Sequence, residues 1–314
     1  MIAEREVDGH TALVIGGDGQ DAIEASFVPS AGMVGCSLLH NGDELLGQRG
    51  GLGRYVAQRS TMGIPLLHPW ANRVAKTRFT VAGREVDLQR HPQLVKVDPN
   101  GHPIHGLLAG AGGWNVERHE AREAGGVLAA SFDFAAHEAL IDAFPFPHEV
   151  RVEAVIAGET LTIATTVRAT RDVPVPVSFG YHPYFRLPGV ERASWEVRIP
   201  VGKQVALDER GLPTGTVEDV AVEGGMLGPR TFDDLFSAPD SGALFTLEGG
   251  DRRIEVAFLA GYPYAQVYAP VDDDVIAFEP MTAPTNALVS GDGLHLLEPG
   301  ESYDASFSIT VRQG

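Results

Sequence analysis

Short apolar runs, cut by Gly, Pro and Asp, dominate the pattern of hydrophobic and polar positions along this chain. In His148–Ile156 every second residue is apolar, and the same alternation returns in Leu161–Val167 after a turn near Gly158. A period of two is the spacing of a β-strand with one buried and one wet face. The two segments therefore predict an antiparallel pair of strands.

The same pattern of short apolar runs predicts strands along most of the chain, whereas helical patterns are few. Asn41-Gly42 and Ala82-Gly83 are two-residue turn signals of β-hairpins. Weak helix candidates are Ala135–Ala143 and Thr285–Val289, and the glycines of Gly50–Gly53 precede no clear helical pattern. The further predicted strands are Thr11–Ile15, Ile23–Val28, Met33–Leu39, Glu44–Leu46, Arg78–Val81, Arg84–Leu88, Trp195–Ile199, Ala243–Leu247, Ile254–Phe258, Ala265–Ala269, Val275–Phe278 and Tyr303–Val311.

This strand-rich pattern is typical of an all-β sandwich or barrel. No internal repeat and no low-complexity linker interrupts the chain, so we expect one domain over residues 1–314.

Composition narrows the classes of partner. With 24 Lys and Arg against 42 Asp and Glu, the net charge is −18, which argues against nucleic acid or an anionic membrane as the main partner. The charged Met1–His10 lacks the apolar segment of a signal peptide, and no apolar run approaches the roughly 20 residues of a membrane helix. Cys36 is the only cysteine, so no internal disulfide forms. A cytoplasmic protein is expected, as a monomer or homodimer.

Val177–Leu187 carries the first chemical candidate, His182, with aromatic residues on both sides. Pro183 disfavours the α region for His182 and favours extended backbone. A histidine held at a strand end is suited to exchange a proton with a ligand. Taken alone, the stretch is explained as well by a buried histidine in an aromatic core.

Gly63–Arg73 combines a stiff, proline-rich backbone with the apolar face of Trp70 and the donors Asn72 and Arg73. A sugar needs such a mixture, since its ring face stacks on aromatics while its hydroxyls need fixed hydrogen bonds. A proline-rich surface turn is the competing interpretation.

Other acids and histidines give weaker signals. The two histidines of His102–Gly106 flank a proline that disfavours a helical metal-binding pair, and no Cys or Glu cluster completes a site. Asp272-Asp273-Asp274 lacks the spacing of a calcium loop. We therefore expect no metal and no cofactor. Glu279, at the end of the predicted strand Val275–Phe278 and beside apolar residues, is a candidate general base.

Together these stretches resemble the aldose 1-epimerase (galactose mutarotase) family, with motifs in the family's order along nearly the whole chain. The motifs are Gly63–Arg73, His102–Gly106 with Trp114, Pro176–Phe185, Phe232–Phe236 and Phe278–Leu288.

The resemblance implies a large antiparallel β-sandwich with few short helices and a sugar on a concave face. It places His182 as general acid and Glu279 as general base. It implies substrate-binding roles for Arg73, His105, Asp233, Asn72 and Trp114. Asp233 is preferred to Asp234 because the family's acid lies three residues before an aromatic, here Phe236.

Two departures bear on the substrate. Ala169-Thr170 stands where the family often has an asparagine, and Glu279-Pro280-Met281-Thr282 differs from the best-studied galactose enzymes. These differences leave the identity of the small-molecule sugar substrate open.

The implied reaction interconverts the α and β anomers of a free aldose. Glu279 takes the proton of the C1 hydroxyl, protonated His182 gives one to the ring oxygen, and the ring opens and recloses on the other face. Alternatives are a hexose-6-phosphate 1-epimerase, a non-catalytic carbohydrate-binding protein and, last, a glycosidase. For a phosphate, the available arginines are Arg49, Arg54, Arg73, Arg78 and Arg186.

Overall fold

The computed structural model describes residues 1–19, 21–238 and 242–313. Its α-helices are α1 (Gly51–Gln58), α2 (Glu138–Ala143) and α3 (Ala287–Ser290), and short 3-10 turns lie at Pro29–Ala31, Leu88–Arg90, Pro92–Leu94, Phe134–Ala136 and Arg192–Ser194. None of the described helices combines the length and apolar character that crossing a membrane requires.

Strands make up most of the remaining regular structure. The first half contains β1 (Ile2–Val7), β2 (His10–Gly16), β3 (Ile23–Val28), β4 (Val34–His40), β5 (Asp43–Glu44), β6 (Leu66–Leu67), β7 (Arg78–Val81), β8 (Arg84–Asp87), β9 (Lys96–Val97), β10 (Pro103–Ile104), β11 (Asn115–Arg122), β12 (Gly125–Asp133), β13 (His148–Ala157) and β14 (Thr160–Ala169). The second half contains β15 (Val175–Val177), β16 (Gly180–Tyr181), β17 (Tyr184–Phe185), β18 (Glu196–Arg198), β19 (Lys203–Leu207), β20 (Pro213–Asp219), β21 (Gly225–Met226), β22 (Phe232–Ser237), β23 (Phe245–Gly249), β24 (Arg252–Ala260), β25 (Tyr264–Ala269), β26 (Ile276–Met281), β27 (His295–Leu297) and β28 (Ser302–Gln313).

Three larger sheets organise these strands. A five-stranded sheet runs β1-β2-β3-β4-β5, and a nine-stranded sheet runs β11-β12-β13-β14-β28-β24-β23-β18-β21. An eight-stranded sheet runs β20-β19-β22-β25-β26-β16-β6, with β17 also pairing with β26. The strand pairs within these sheets are antiparallel, as the alternating sequence pattern predicts.

The nine-stranded and eight-stranded sheets pack face to face through large aromatic side chains. Tyr181 and Phe307 have ring centroids 5.1 Å apart, and Phe245 lies 5.2 Å from Phe278. These side chains are buried, and burying an aromatic side chain stabilises the fold by roughly 1.5–3 kcal/mol each. The predicted antiparallel β-sandwich is confirmed.

One hydrophobic cluster extends from Ile15 to Val311 along the sequence. A core drawn from nearly the whole chain supports the expected single domain, which stays a prediction.

Predictions of single strands and turns are confirmed where one local sequence signal is strong. The alternation in β13 and β14 gives one buried face, including Val150 and Ile163. The hairpin turns also form as predicted, because Asn41 and Gly42 both have positive φ, at 54° and 85°, which a two-residue turn of this kind requires.

Helix α1 and several strands, among them β1, β11 and β12, were not predicted. Helix α1 follows the glycines at 50–53, where no helix was expected, and it buries Leu52 and Tyr55. It is only eight residues long and begins with glycines, so its sequence period is too short to be distinctive. The β11–β12 pair was also missed, because β11 is exposed along most of its length and shows no apolar alternation.

Candidate active site

His182 and Glu279 lie opposite each other on neighbouring strands of the eight-stranded sheet. The pairing of Gly180 with Met281 and of Tyr184 with Ala277 fixes the register between them. His182 occupies the gap between β16 and β17, and its backbone N–H donates to the Pro65 carbonyl at 3.3 Å. Glu279 was expected at the end of a strand but lies inside β26, because pairing on both sides extends that strand to Met281.

This register brings the two candidate proton-transfer groups together. The Nε2 atom of His182 lies 3.1 Å from Oε1 of Glu279, and the side chains are 5% and 2% exposed. Such proximity lets both groups reach the two oxygens on one anomeric carbon. Residues 97 positions apart in the sequence thus form one buried acid–base pair.

The pair lines a cavity of about 200 Å³. This is smaller than the roughly 300–1,000 Å³ of pockets for drug-sized ligands and suits one small polar molecule. The eight-stranded sheet supplies the floor, and the β9–β10 hairpin with the segments around Arg49 and Arg73 supplies the wall. The lining residues are Arg49, Thr61, Asn72, Arg73, Lys96, Val97, Asp98, Pro99, Ile104, His105, His182, Tyr184, Asp233, Tyr268 and Glu279.

Arg73 is held at the cavity by acidic partners. Its Nε donates to Oδ2 of Asp98 at 2.7 Å, and its Nη2 lies 3.5 Å from Oδ2 of Asp233. Asp98 is itself fixed by the backbone N–H groups of Asn100 and His102, at 2.9 and 2.8 Å. Although burial opposes it, these hydrogen bonds and that from Arg73 lower the pKa of Asp98. The guanidinium is therefore locked in place by a fixed carboxylate.

Asp233 and Asp234 face different directions, as successive residues of a strand must. Asp233 lines the cavity and accepts a hydrogen bond from Gln266 Nε2 at 2.7 Å. Asp234 accepts from Gln204 Nε2 at 2.8 Å and is absent from the cavity lining. The geometry thus favours Asp233 as the acid available to a ligand.

Three residues of the wall adopt left-handed backbone. Arg49, Asn72 and His105 have φ values of 46°, 53° and 65°. Such conformations cost of order 1–3 kcal/mol outside glycine and cluster at functional sites. Asn72 and His105 are also joined directly, because the His105 N–H donates to the Asn72 carbonyl at 2.9 Å. The strained segments present their side chains to the same cavity.

Aromatic residues support the histidine from one side. The ring of Tyr184 stacks on His182 with centroids 4.0 Å apart and an interplanar angle of 17°. Its hydroxyl is 2.7 Å from that of Thr61, and the guanidinium of Arg49 lies over its ring at 4.8 Å. This stack fixes the plane of the imidazole. Tyr268 closes another side, edge-on to His182.

Burial decides the charge state of the pair. Desolvation, with His105 and Arg49 nearby, lowers the pKa of His182 well below its usual value. Desolvation, with the Asp233 charge, raises the pKa of Glu279 well above its usual value. Both directions disfavour charge and therefore favour a neutral imidazole and a neutral carboxyl. The lowered pKa of His182 disfavours the imidazolium that the sequence-based mechanism assigned to it.

Several polar atoms of the site have no hydrogen-bond partner within the described part of the chain. They are Nδ1 of His105, Nδ1 of His182 and Oε2 of Glu279. Buried polar groups are normally paired, so a cluster of unpaired ones needs an explanation. A polar ligand in this cavity would provide the missing partners.

Two expected contributors lie elsewhere. Trp114 is absent from the cavity lining and packs in the core against Phe132, with centroids 5.4 Å apart. It immediately precedes β11, which directs it between core aromatics. Trp70 is fully buried in the same core and offers no face to a ligand. The aromatic faces at the cavity belong to Tyr184 and Tyr268 instead.

Among the arginines considered for a phosphate, Arg49 and Arg73 line the cavity and the other three do not. Lys96 and Asp98 were not singled out in the sequence. Their local sequence does not identify them as site residues, because it is the β9–β10 pairing that brings them to the cavity. In the residues that the structure describes, no group of three or more His, Cys, Asp or Glu is placed to hold a metal ion.

Comparison with known proteins identifies the group to which this architecture is similar. A family profile described as aldose 1-epimerase matches residues 36–310. The uncharacterized protein YihR of Escherichia coli K12 is 24% identical over 260 residues, covering 78% of this chain and 80% of YihR.

Solved structures show the same fold. A galactose mutarotase-like protein from Clostridium acetobutylicum superposes with a TM-score of 0.84 at 19% identity, covering 100% and 99% of the two chains. Galactose 1-epimerase from Lactobacillus acidophilus superposes with a TM-score of 0.76 at 15% identity, covering 100% and 98%.

Proposed function

Because this chain belongs to the aldose 1-epimerase family, we propose that it interconverts the α and β anomers of an aldose in the cavity that His182 and Glu279 line. The observation that carries the proposal is the 3.1 Å approach of Nε2 and Oε1 in one small buried site. No cofactor takes part in this reaction. The expected cytoplasmic location remains a prediction.

Anomer exchange needs two coupled proton transfers at one carbon. Glu279 accepts the proton of the C1 hydroxyl while His182 donates a proton to the ring oxygen. The C1–O5 bond then breaks and leaves the open-chain aldehyde. Rotation about the C1–C2 bond presents the other face of the carbonyl, and reversed proton transfers close the ring as the other anomer. Each general acid or base contributes about 10²–10⁴-fold.

The pair must hold one exchangeable proton for this cycle. Because burial disfavours charge on both groups, it favours that proton on Glu279 in the free protein. For ring opening, this proton must be on His182, so that Glu279 can accept the separate proton of the C1 hydroxyl. The sugar oxygens supply hydrogen-bond partners for Nδ1 of His182 and Oε2 of Glu279, which favours the charged pair relative to the free protein.

The other polar groups fix the sugar. Arg73, Asn72 and His105 present donors or acceptors from the wall, and Asp233 accepts hydroxyl hydrogen bonds from the floor. Burial, with the nearby Lys96 and Arg73 charges, lowers the pKa of His105 to about 3. A neutral His105 can accept a hydrogen bond at one ring nitrogen and donate at the other. We propose these four residues as the substrate-binding set.

A carbohydrate-binding protein without turnover is the alternative from another class. Binding alone gives no reason to bury an acid and a base 3.1 Å apart with unpaired polar atoms on both. We therefore prefer catalysis, and the experiment below distinguishes the two.

The test measures anomer exchange by saturation-transfer NMR for His182→Asn and Glu279→Gln. Each substitution removes one proton-transfer group while nearly preserving shape, so we expect kcat to fall about 10²–10⁴-fold. His295→Asn and Glu298→Gln make the same changes at exposed positions outside the cavity and serve as controls. Near-normal exchange in either site variant would defeat the assignment. Sugar binding without exchange by the wild type would establish the non-catalytic alternative.

A further inference from the structure

Lys96 is the one lysine that lines the cavity, and it differs from the other cations there. It is partly buried in β9, and no carboxylate of the described residues lies within 4.0 Å of its Nζ atom. Burial and the nearby guanidinium groups of Arg49 and Arg54 lower the pKa of Lys96. Lys96 is thus a partly desolvated cation without a counter-ion.

Arg73, in contrast to Lys96, has carboxylate partners. It lines the same cavity but has Asp98 at 2.7 Å and Asp233 at 3.5 Å, so its charge is compensated within the protein. Arg49 is intermediate, since its Nε lies 3.1 Å from Asp273 while its guanidinium still lines the cavity. Carboxylates therefore compensate the charge of Arg73 fully and that of Arg49 in part, whereas Lys96, which feels the charge of Arg49, has no such partner.

Burying a charge is costly unless another charge or several hydrogen bonds compensate it. A neutral sugar hydroxyl can accept a hydrogen bond from Lys96 but leaves its charge uncompensated. An anionic group would compensate it and would also accept bonds from Arg49, whose guanidinium has five N–H donors. Lys96 and Arg49 together are therefore suited to bind a negative group of a ligand.

We propose that the natural substrate is an aldose bearing an anionic group, and that Lys96 with Arg49 binds this group while C1 lies at His182 and Glu279. This inference rests on the proposed epimerase function and specifies its substrate class. A phosphate ester and a carboxylate share the required chemistry, and the experiment distinguishes them.

The experiment compares glucose, glucose 6-phosphate and glucuronate as substrates for anomer exchange. A charged hydrogen bond contributes about 1.5–3 kcal/mol, so we expect kcat/KM on the better anionic sugar to exceed that on glucose by about 10–100-fold. Whichever anion gives the higher kcat/KM identifies the source of the charge. Equal or higher kcat/KM on glucose would overturn the inference and leave the epimerase function standing.

Lys96→Met tests the residue itself. We expect it to reduce kcat/KM on the anionic sugar about 10–100-fold more than on glucose, and we expect Lys96→Arg to restore most of the difference. Lys203→Met is the matched control, because it removes the same charge from an exposed position of β19 outside the cavity. Equal losses on charged and neutral sugars in Lys96→Met would overturn the inference.

Binding provides a readout that does not depend on turnover. Calorimetry with the same three sugars measures affinity, and about 0.5 M NaCl screens the exposed part of the charge interaction. Tighter binding of an anionic sugar, weakened by Lys96→Met, supports the inference even if no sugar is epimerised. Equal affinities for charged and neutral sugars overturn it.

Discussion

Asp98→Asn isolates the contribution of a residue that touches Arg73. Asparagine has nearly the same shape, and its side-chain carbonyl can still accept the N–H groups of Asn100 and His102. Its amide, however, then faces the Arg73 Nε, where Oδ2 of Asp98 now accepts at 2.7 Å. One charge-assisted hydrogen bond is lost and two donors are brought together.

A hydrogen bond to a charged group contributes about 1.5–3 kcal/mol, which corresponds to about 10–100-fold. We expect kcat/KM for anomer exchange to fall by this factor, because Arg73 loses its fixed position beside the sugar. Saturation-transfer NMR gives the rate at several sugar concentrations and separates KM from kcat. Thermal unfolding of the same variant shows whether the fold survives.

Asp234→Asn is the matched control. It makes the same chemical change one residue from Asp233 on β22, but its carboxylate bonds Gln204 outside the cavity. We expect its kcat/KM to stay within about twofold of wild type, as for surface substitutions. If Asp98→Asn folds normally and also stays within that range, Arg73 does not need Asp98. If kcat/KM of Asp234→Asn falls as much as that of Asp98→Asn, the inference that Asp233 and not Asp234 faces the cavity is wrong.

Three further outcomes follow from the structure. Because burial lowers the pKa of His182 below 6.5 in the free protein, kcat/KM should not fall as pH decreases through 6.5; a drop centred there would contradict a neutral imidazole at this position. Tyr184→Phe leaves the buried hydroxyl of Thr61 without its partner, so urea unfolding should show a loss of about 1–3 kcal/mol, and an unchanged midpoint would refute this. Phe307→Ala removes a fully buried ring between the two large sheets and should cost about 3–5 kcal/mol in the same assay, whereas a cost below about 1 kcal/mol would mean that the sheets do not pack there.

Much of the sheet structure could be predicted because strand periodicity is local. The buried face of β13 and the hairpin at Asn41-Gly42 each depend on a few consecutive residues. Elements without such a signal were missed, as with the exposed β11 and the short helix α1. Their positions depend on neighbours that the sequence does not identify.

The candidate site residues divide in the same way, into those the sequence identified correctly and those whose position only the structure shows. The resemblance named His182, Glu279, Arg73, His105 and Asp233, and the structure brings these five to one cavity. It places Trp114 in the core instead, because a tryptophan beside a strand gives the same sequence signal whether it faces a ligand or the interior.

The sequence by itself determined the chemistry that is available, since residue types, charge and strand period belong to the chain before it folds. Only the tertiary structure decided which groups meet. The cross-strand register sets His182 against Glu279, and the β9–β10 pairing delivers Lys96 and Asp98 to the same cavity. Register and long-range pairing arise from the packing of the whole core, so no short stretch of sequence encodes the 3.1 Å contact or the uncompensated charge beside it.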